Sequence, residues 1–162
     1  MLTLVLLPGV LPILPASTLA AVPLQELNYD LGEQIAWPTF VRQIEDAYAA
    51  VPTGEQSTTI VLTGSYGEAG AIERYGRGGI VPYSGHNTYW WWRKPPDETT
   101  TVLAVGLLPE EYLREFFGEI ELVGRLDNGL EVDTEEQGAP IWLATEPREP
   151  LSRMWPDLRH HG

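Results

Sequence analysis

Apolar side chains recur in two different rhythms along the chain, and segments with one rhythm alternate with segments of the other. Residues 38–50 place apolar positions at helical spacing behind Pro38, a residue that suits the first turn of a helix. Residues 68–75 and 109–117 also have helical patterns. Runs rich in β-branched residues predict strands at residues 58–63, 80–83, 99–106, 119–126 and 140–145.

The order of these predicted elements indicates the fold class. Helices and strands alternate, which is typical of α/β proteins. The run at residues 99–106 is continuous and β-branched, as in a strand that is covered on both faces. We therefore expect a three-layer, Rossmann-like α/β domain with a mostly parallel sheet and helices on both faces. In such sheets ligands bind beyond the carboxyl ends of the strands, so the loops that follow the strands are the first places to look for a site.

An apolar N-terminal segment precedes this domain. Residues 2–14 are mainly apolar but include Pro8 and Pro12, and they are too short to cross a bilayer alone, which takes ~20 apolar residues. They also lack the basic start of a signal peptide. The pattern favours the end of a transmembrane helix, with a cleaved signal peptide and a buried apolar arm as alternatives. The predicted organisation is a membrane-helix end at residues 1–15, a connector at residues 16–36 and a soluble α/β domain at residues 37–162.

The charge balance restricts the partners of the chain. Its 10 Lys and Arg residues stand against 23 Asp and Glu residues, a formal net charge of −13. This balance disfavours nucleic acid and anionic lipid, both of which require clustered cations. There is no cysteine, which excludes thiolate chemistry and disulfides, and three histidines make a histidine-based metal site unfavourable. We expect neither a metal nor a cofactor.

Residues 63–71 join a predicted strand to a predicted helix through three glycines. Their spacing is neither that of a dinucleotide-binding loop nor that of a P-loop, and Glu68 at the helix start would repel a phosphate. The free N–H groups of the helix start and the ring of Tyr66 can instead bind a polar ligand or a sugar. The alternative is a structural turn, in which the glycines supply positive φ and close packing.

Residues 84–92 combine Ser, His and Asn with four aromatic side chains. His86 can act as a general acid or base near neutral pH. A hydrogen bond between Ser84 and a histidine two residues away is geometrically poor, so we expect no nucleophilic triad. The alternative is a structural loop in which His86 and Asn87 satisfy backbone groups.

Four consecutive aromatic residues occupy positions 89–92. If this segment is extended, Tyr89 and Trp91 face one side while Trp90 and Trp92 face the other. We expect one pair to lie in the core and the other on a surface or at a membrane interface. The candidate ligand-binding residues of the two loops are Thr63, Gly64, Tyr66, Gly67, Glu68, Ser84, His86, Asn87, Tyr89 and Trp90.

A third polar segment, residues 127–138, is rich in carboxylates. Its Asn128-Gly129 pair predicts a turn between two strands. The spacing of Asp127, Asp133 and Glu135 is too sparse for an EF-hand loop. A carboxylate pair for glycoside hydrolysis is an open alternative, and a solvated acidic loop is the favoured interpretation.

Together these segments resemble one family, the bacterial membrane glycosyltransferases of family 39, in the soluble region at the C-terminus. That family is related to the dolichyl-phosphate-mannose protein mannosyltransferases and to the lipid A aminoarabinose transferases. The resemblance covers residues 11–160 almost continuously. The motifs that carry it are residues 11–15, 27–38, 63–72, 84–90, 127–129 and 135–142.

The resemblance implies an extracytoplasmic domain attached to a bacterial membrane enzyme that transfers a sugar from a polyprenyl-phosphate donor. The segment at residues 1–15 would then be the end of the last membrane helix. The family's catalytic carboxylates lie in an early loop between membrane helices, which has no counterpart in this sequence, so no catalytic residue is assigned. The implied partners are the membrane portion of the enzyme or the membrane surface, and a glycan or polyprenyl-phosphate sugar.

Three functions remain open from the sequence. The first is a non-catalytic, extracytoplasmic accessory domain of a membrane sugar transferase. The second is a free-standing module that binds carbohydrate or another small ligand. The third is a small hydrolase that uses His86 with Glu68 or Asp127, which requires these groups to converge in one pocket.

Overall fold

The structure is a computed structural model that describes residues 35–161. The predicted membrane-helix end and nearly all of the connector lie outside the described residues. Within residues 35–161, no helix is long and apolar enough to span a bilayer. The helices are α1 (Trp37–Ala50), α2 (Tyr66–Tyr75), α3 (Glu110–Phe116) and α4 (Leu151–Met154). The strands are β1 (Thr59–Thr63), β2 (Pro82–Ser84), β3 (Thr101–Val105), β4 (Phe117–Arg125) and β5 (Pro140–Pro147).

The five strands form one mixed sheet in the order β2-β1-β3-β5-β4. The pairs β1–β2 and β1–β3 are parallel, whereas β3–β5 and β4–β5 are antiparallel. The prediction of a mostly parallel, Rossmann-like sheet is therefore wrong. The difference comes from β5, which lies between β3 and β4 and runs against both. The periodicity of apolar residues identifies a strand but does not give its direction or its neighbours.

Helices cover both faces of this sheet. Phe40, Val41 and Ile44 of α1 pack with Ile72 of α2 against one face. Buried residues of α3 and α4, including Leu113 and Leu151, pack against the other. β1 and β3 are buried along their whole length, which explains their continuous apolar runs.

The carboxyl ends of the three parallel strands lie side by side. Thr63 at the end of β1 is in register with Ser84 of β2 and with Val105 of β3. The loops that follow these strands therefore start from the same edge of the sheet, as expected from the sequence. The end of the described chain also reaches this edge, because His160 forms an isolated parallel bridge with His86.

Two segments differ from the sequence-based expectations. The Asn128-Gly129 turn does not join β4 to β5 directly, because residues 126–139 separate these two strands. α4 was not predicted, since its four residues lie in a segment rich in Pro and Arg. Both segments are held by contacts that are distant in sequence, such as the hydrogen bonds between Gln43 and Asp127.

Candidate functional site

The turn from β1 into α2 is built as a helix cap. Ser65 Oγ accepts a hydrogen bond from the backbone N–H of Glu68 (3.1 Å), and Glu68 Oε2 accepts one from the backbone N–H of Ser65 (2.8 Å). This reciprocal pair is a capping box. A Cβ on Gly64 would lie 2.9 Å from the backbone nitrogen of Leu107, so glycine lets the loops after β1 and β3 approach closely. These contacts explain the conformation of the turn as a structural feature of the fold.

The glycines of this turn do not supply positive φ. The glycines with positive φ among the described residues are Gly79, Gly106, Gly129 and Gly138. A Cβ on Gly70 would meet no atom within 4 Å, and one on Gly67 would make only ordinary contacts. Close packing is thus required at Gly64 alone among the three.

The side chain of Glu68 is buried although it is a carboxylic acid. Its exposed fraction is 3%, and Oε1 has no hydrogen-bond partner among the described residues. Burial raises the pKa of this carboxyl from 4.5 to about 7, although the backbone N–H groups of Ser65 and Gly64 favour the charged form. Glu68 therefore gains or loses its proton near neutral pH, two residues after the exposed Tyr66 in the first turn of α2.

Five residues at the sheet edge form what we name the histidine cluster: Tyr66, His86, Asn87, His160 and His161. The ring of His86 lies between those of Tyr66 and His160, with centroid distances of 5.0 Å and 5.2 Å. The two imidazoles are stacked at an interplanar angle of 6°. Asn87 Oδ1 lies 3.3 Å from Nδ1 of His161. All three histidines of the chain thus gather at this edge.

Hydrogen bonds fix the orientation of the two stacked imidazoles. His86 Nδ1 accepts from the backbone N–H of Tyr66 (3.4 Å), and its Nε2 lies 2.8 Å from the side-chain amide of Asn87. His160 Nε2 donates to the carbonyl oxygen of Gly64 (2.8 Å). Asn87 has a φ of 53°, in the left-handed region that asparagine tolerates better than most residues.

The segment that carries His160 is tied to the loop after β2. His160 donates its backbone N–H to the carbonyl oxygen of Gly85 (3.0 Å), and Asn87 donates its own to the carbonyl oxygen of His160 (2.9 Å). The segment passes so close that a Cβ on Gly85 would lie 1.8 Å from the carbonyl oxygen of Leu158. Glycine at position 85 is therefore required for the cluster to assemble.

The pKa of His86 is lowered from 6.5, first by burial and then by the positive charges of His160 and His161. The ring of His86 contacts Tyr66, Asn87 and His160, none of which is a carboxylate. Glu68 is held in the capping box, and Asp127 accepts from Gly129 and Gln137. The convergence that the hydrolase hypothesis requires is therefore not observed in residues 35–161.

The structure separates the ten candidate residues into three groups. Tyr66, His86 and Asn87 come together at the edge, where the ring of Tyr66 is 55% exposed. Gly67 and Trp90 are half-buried. The remaining five candidates are buried, and they are Thr63, Gly64, Glu68, Ser84 and Tyr89. Among these five, the side chains of Thr63, Glu68 and Ser84 form hydrogen bonds within their own loops.

The aromatic run is helical, so the predicted alternation of its faces is wrong. Asn87–Trp91 forms a 3-10 helix, in which residues three apart lie above one another. The rings of Tyr89 and Trp92 accordingly stack at 4.9 Å. Tyr89 is buried, whereas Trp91 and Trp92 are 67% and 66% exposed.

The exposed tryptophans border a groove of about 320 Å³, which we name the tryptophan groove. The indoles of Trp90 and Trp155 are nearly parallel, and each donates its Nε1–H to the backbone carbonyl of the other, at 2.8 Å and 3.3 Å. The Arg159 guanidinium lies 5.1 Å from the ring of Trp90 and 5.3 Å from that of Trp91. The groove is lined by Trp90, Trp91, Trp92, Arg93, Lys94, Ser152, Trp155 and Pro156.

Sequence reasoning missed the contribution of residues 155–161. Trp155, Arg159, His160 and His161 all reach the sheet edge from a tail that shows no regular pattern. Their contacts with the histidine cluster and the tryptophan groove span at least 65 positions along the chain, so no local signal reveals them. Clusters of three or more His, Cys, Asp or Glu with metal-binding geometry are absent from residues 35–161.

Comparisons of the chain with protein-family models, with curated proteins and with solved structures gave no match.

Proposed function

We propose that the chain is an extracytoplasmic accessory domain of a bacterial membrane glycosyltransferase that uses a polyprenyl-phosphate sugar donor. The domain is non-catalytic by itself and binds a sugar at the histidine cluster, on the outer face of the plasma membrane. The resemblance of its loop motifs to family 39 supports the enzyme class. The apolar segment at residues 2–14 supports attachment to the membrane.

The observation that carries the sugar-binding part of the proposal is the placement of Tyr66 beside His86 and Asn87. An exposed aromatic ring next to groups that donate and accept hydrogen bonds is the composition of a site for a polar ligand with an apolar face. The three residues lie beyond the carboxyl ends of β1 and β2, where ligands of parallel strands bind.

A saccharide titration of the full chain, followed by NMR chemical shifts, tests the sugar site. Tyr66→Ala removes an exposed ring at the start of α2, and Tyr75→Ala is its matched control, since it removes an exposed ring at the end of the same helix. We expect a mono- or disaccharide to shift the signals of His86 and Asn87, with binding lost in Tyr66→Ala and kept in Tyr75→Ala. Equal binding by both variants, or no binding by the natural chain, contradicts the proposal.

A partition assay tests the membrane part. The full chain and a truncation at residues 16–162 are mixed with vesicles that contain or lack polyprenyl phosphate. We expect only the full chain to partition, because residues 2–14 supply the apolar surface. If the full chain stays in solution while saccharide binding persists, a free-standing carbohydrate-binding module replaces the accessory domain as the better account.

A further inference from the structure

The tryptophan groove has a composition that differs from the rest of the molecule. Its lining holds two cationic side chains, Arg93 and Lys94, and no carboxylate, in a chain with 23 acidic and 10 basic residues. Arg159 adds a third cation over the rings of Trp90 and Trp91. A concave aromatic site with positive charge is thus present on a strongly acidic protein.

The three cations are not equally free to meet a ligand. Arg93 pairs with Glu73 (2.7 Å), which offsets its charge. Asp97 lies at the rim, where it accepts a hydrogen bond from Ser152. Lys94 is exposed and forms no ion pair among the described residues. Arg159 is also exposed and forms no ion pair among the described residues, but its guanidinium already lies over the rings of Trp90 and Trp91. Lys94 is therefore the uncompensated cation that has no such ring contact.

The walls of the groove are rigid on one side and open on the other. Trp90 and Trp155 are locked by their reciprocal indole–carbonyl hydrogen bonds. Trp91 stands nearly perpendicular to Trp90 at 4.7 Å and exposes two thirds of its surface. Trp91 packs edge-to-face against this fixed wall, and its exposed indole can stack on the apolar face of a pyranose ring.

We propose that the tryptophan groove is a second subsite, which binds a sugar unit that carries a negatively charged group. Trp91 stacks on the ring of the sugar, and Lys94 pairs with its anionic substituent. The inference rests on the proposed function, because it extends sugar binding from the histidine cluster to the adjoining groove. The two sites are continuous along the chain, since Asn87–Trp91 contributes to both and Arg159 precedes His160.

Calorimetric titration of the full chain with mannose, mannose 6-phosphate, glucuronic acid and inorganic phosphate tests this assignment. At 20 mM salt we expect the two charged sugars to bind about tenfold more tightly than mannose, because a charge-assisted hydrogen bond adds to the stacking. The advantage should shrink at 300 mM salt, where exposed charges are screened. Inorganic phosphate alone should bind much more weakly than mannose 6-phosphate.

Three variants assign the effect to the groove. Lys94→Gln should remove most of the preference for charged sugars while leaving mannose binding in place. Trp91→Ala should weaken the charged sugars by about tenfold, the loss expected for one stacking contact. Arg77→Gln, an exposed cation away from the groove lining, is the control and should change neither.

The outcomes separate this inference from the proposed function. Equal affinity for mannose and its phosphate, with binding that still depends on Tyr66, overturns the charged subsite and keeps the sugar site at the histidine cluster. Phosphate binding as tight as that of the sugar phosphate overturns the inference as well. A response of tryptophan fluorescence to phosphatidylglycerol vesicles that Trp91→Ala abolishes, with none to sugar phosphates, would assign the groove to a lipid surface instead.

Discussion

The carboxyl group of Glu68 lies directly against Gly106. A Cβ on Gly106 would be 1.7 Å from Glu68 Oε1, and Gly106 has a φ of 82° in the region that favours glycine. The helix cap after β1 is thereby packed onto the turn after β3. This contact explains both the burial of the carboxyl and the need for glycine at position 106.

The first prediction concerns Gly106→Ala. We expect it to lower the free energy of unfolding by about 2–4 kcal/mol, because the methyl group both collides with Glu68 and strains the backbone. Chemical denaturation measures the effect. Gly54→Ala, where the added Cβ meets no atom within 4 Å, is the control and should change stability little.

A double-mutant cycle identifies the collision as the cause. In a Glu68→Ala background, Gly106→Ala should cost clearly less than in the natural chain, since only the backbone strain remains. Equal costs in both backgrounds would show that the backbone conformation, and not the contact with Glu68, makes glycine necessary.

The second prediction concerns the pH dependence of stability. The pKa of Glu68 is about 7 in the folded chain and 4.5 when unperturbed, so between these values the folded state keeps a proton that the unfolded state has lost. The contribution of Glu68 to the free energy of unfolding should therefore be largest below pH 4.5, and it should fall as the pH rises towards 7. The full effect is about 3 kcal/mol by linkage.

The variant Glu68→Gln tests the direction of this pH dependence. Glutamine keeps the acceptor of the capping box and does not ionise. The variant should be about as stable as the natural chain at pH 4.5 and more stable at pH 8, as measured by urea denaturation at several pH values. Glu111→Gln, an exposed carboxylate on α3, is the control. A constant difference between variant and natural chain at all pH values would contradict the prediction.

These features show which parts of the molecule the sequence could predict. The helix at Trp37–Ala50 and the strand at Thr101–Val105 follow from local periodicity, and both lie where the pattern placed them to within two residues. The burial of Glu68 could not be predicted, because it depends on Gly106, which is 38 positions away. The direction of β5 is likewise set by its pairing with β3 and β4, and not by its own pattern.

The residues of the candidate site likewise include some that the sequence could predict and some that it could not. The loops that hold Tyr66 and His86 were found because each follows a predicted strand, and parallel pairing of β1 with β2 brings them together. His160 and Arg159 were not found, since their places depend on how the tail crosses Gly85 and reaches Trp90.

The third prediction concerns the place where the C-terminal tail passes close to Gly85. Gly85→Ala places a methyl group 1.8 Å from the carbonyl oxygen of Leu158, so the tail must move away from the loop after β2. We expect a loss of ~1–3 kcal/mol in stability, together with loss of the stacking between His86 and His160. Thermal unfolding and the imidazole NMR signals report these two effects.

Gly70→Ala is the matched control for this substitution. Gly70 lies inside α2, and a Cβ there meets no atom within 4 Å. Alanine should stabilise the helix by up to about 1 kcal/mol because it restricts the unfolded chain and favours helix. If Gly85→Ala is as stable as the natural chain, the close approach of Leu158 does not hold the tail in place.

The fourth prediction concerns the pKa of His86. It lies below the ordinary 6.5 because of burial and the positive charges of His160 and His161. His160→Gln removes one of these charges and uncovers one face of the ring, so both changes should raise the pKa of His86.

A titration followed by imidazole NMR signals measures the shift, with His161→Gln as a second variant. That variant removes a charge without removing the stacked ring, so it should raise the pKa by a smaller amount. If neither substitution raises it, the protonation of His86 is independent of the tail.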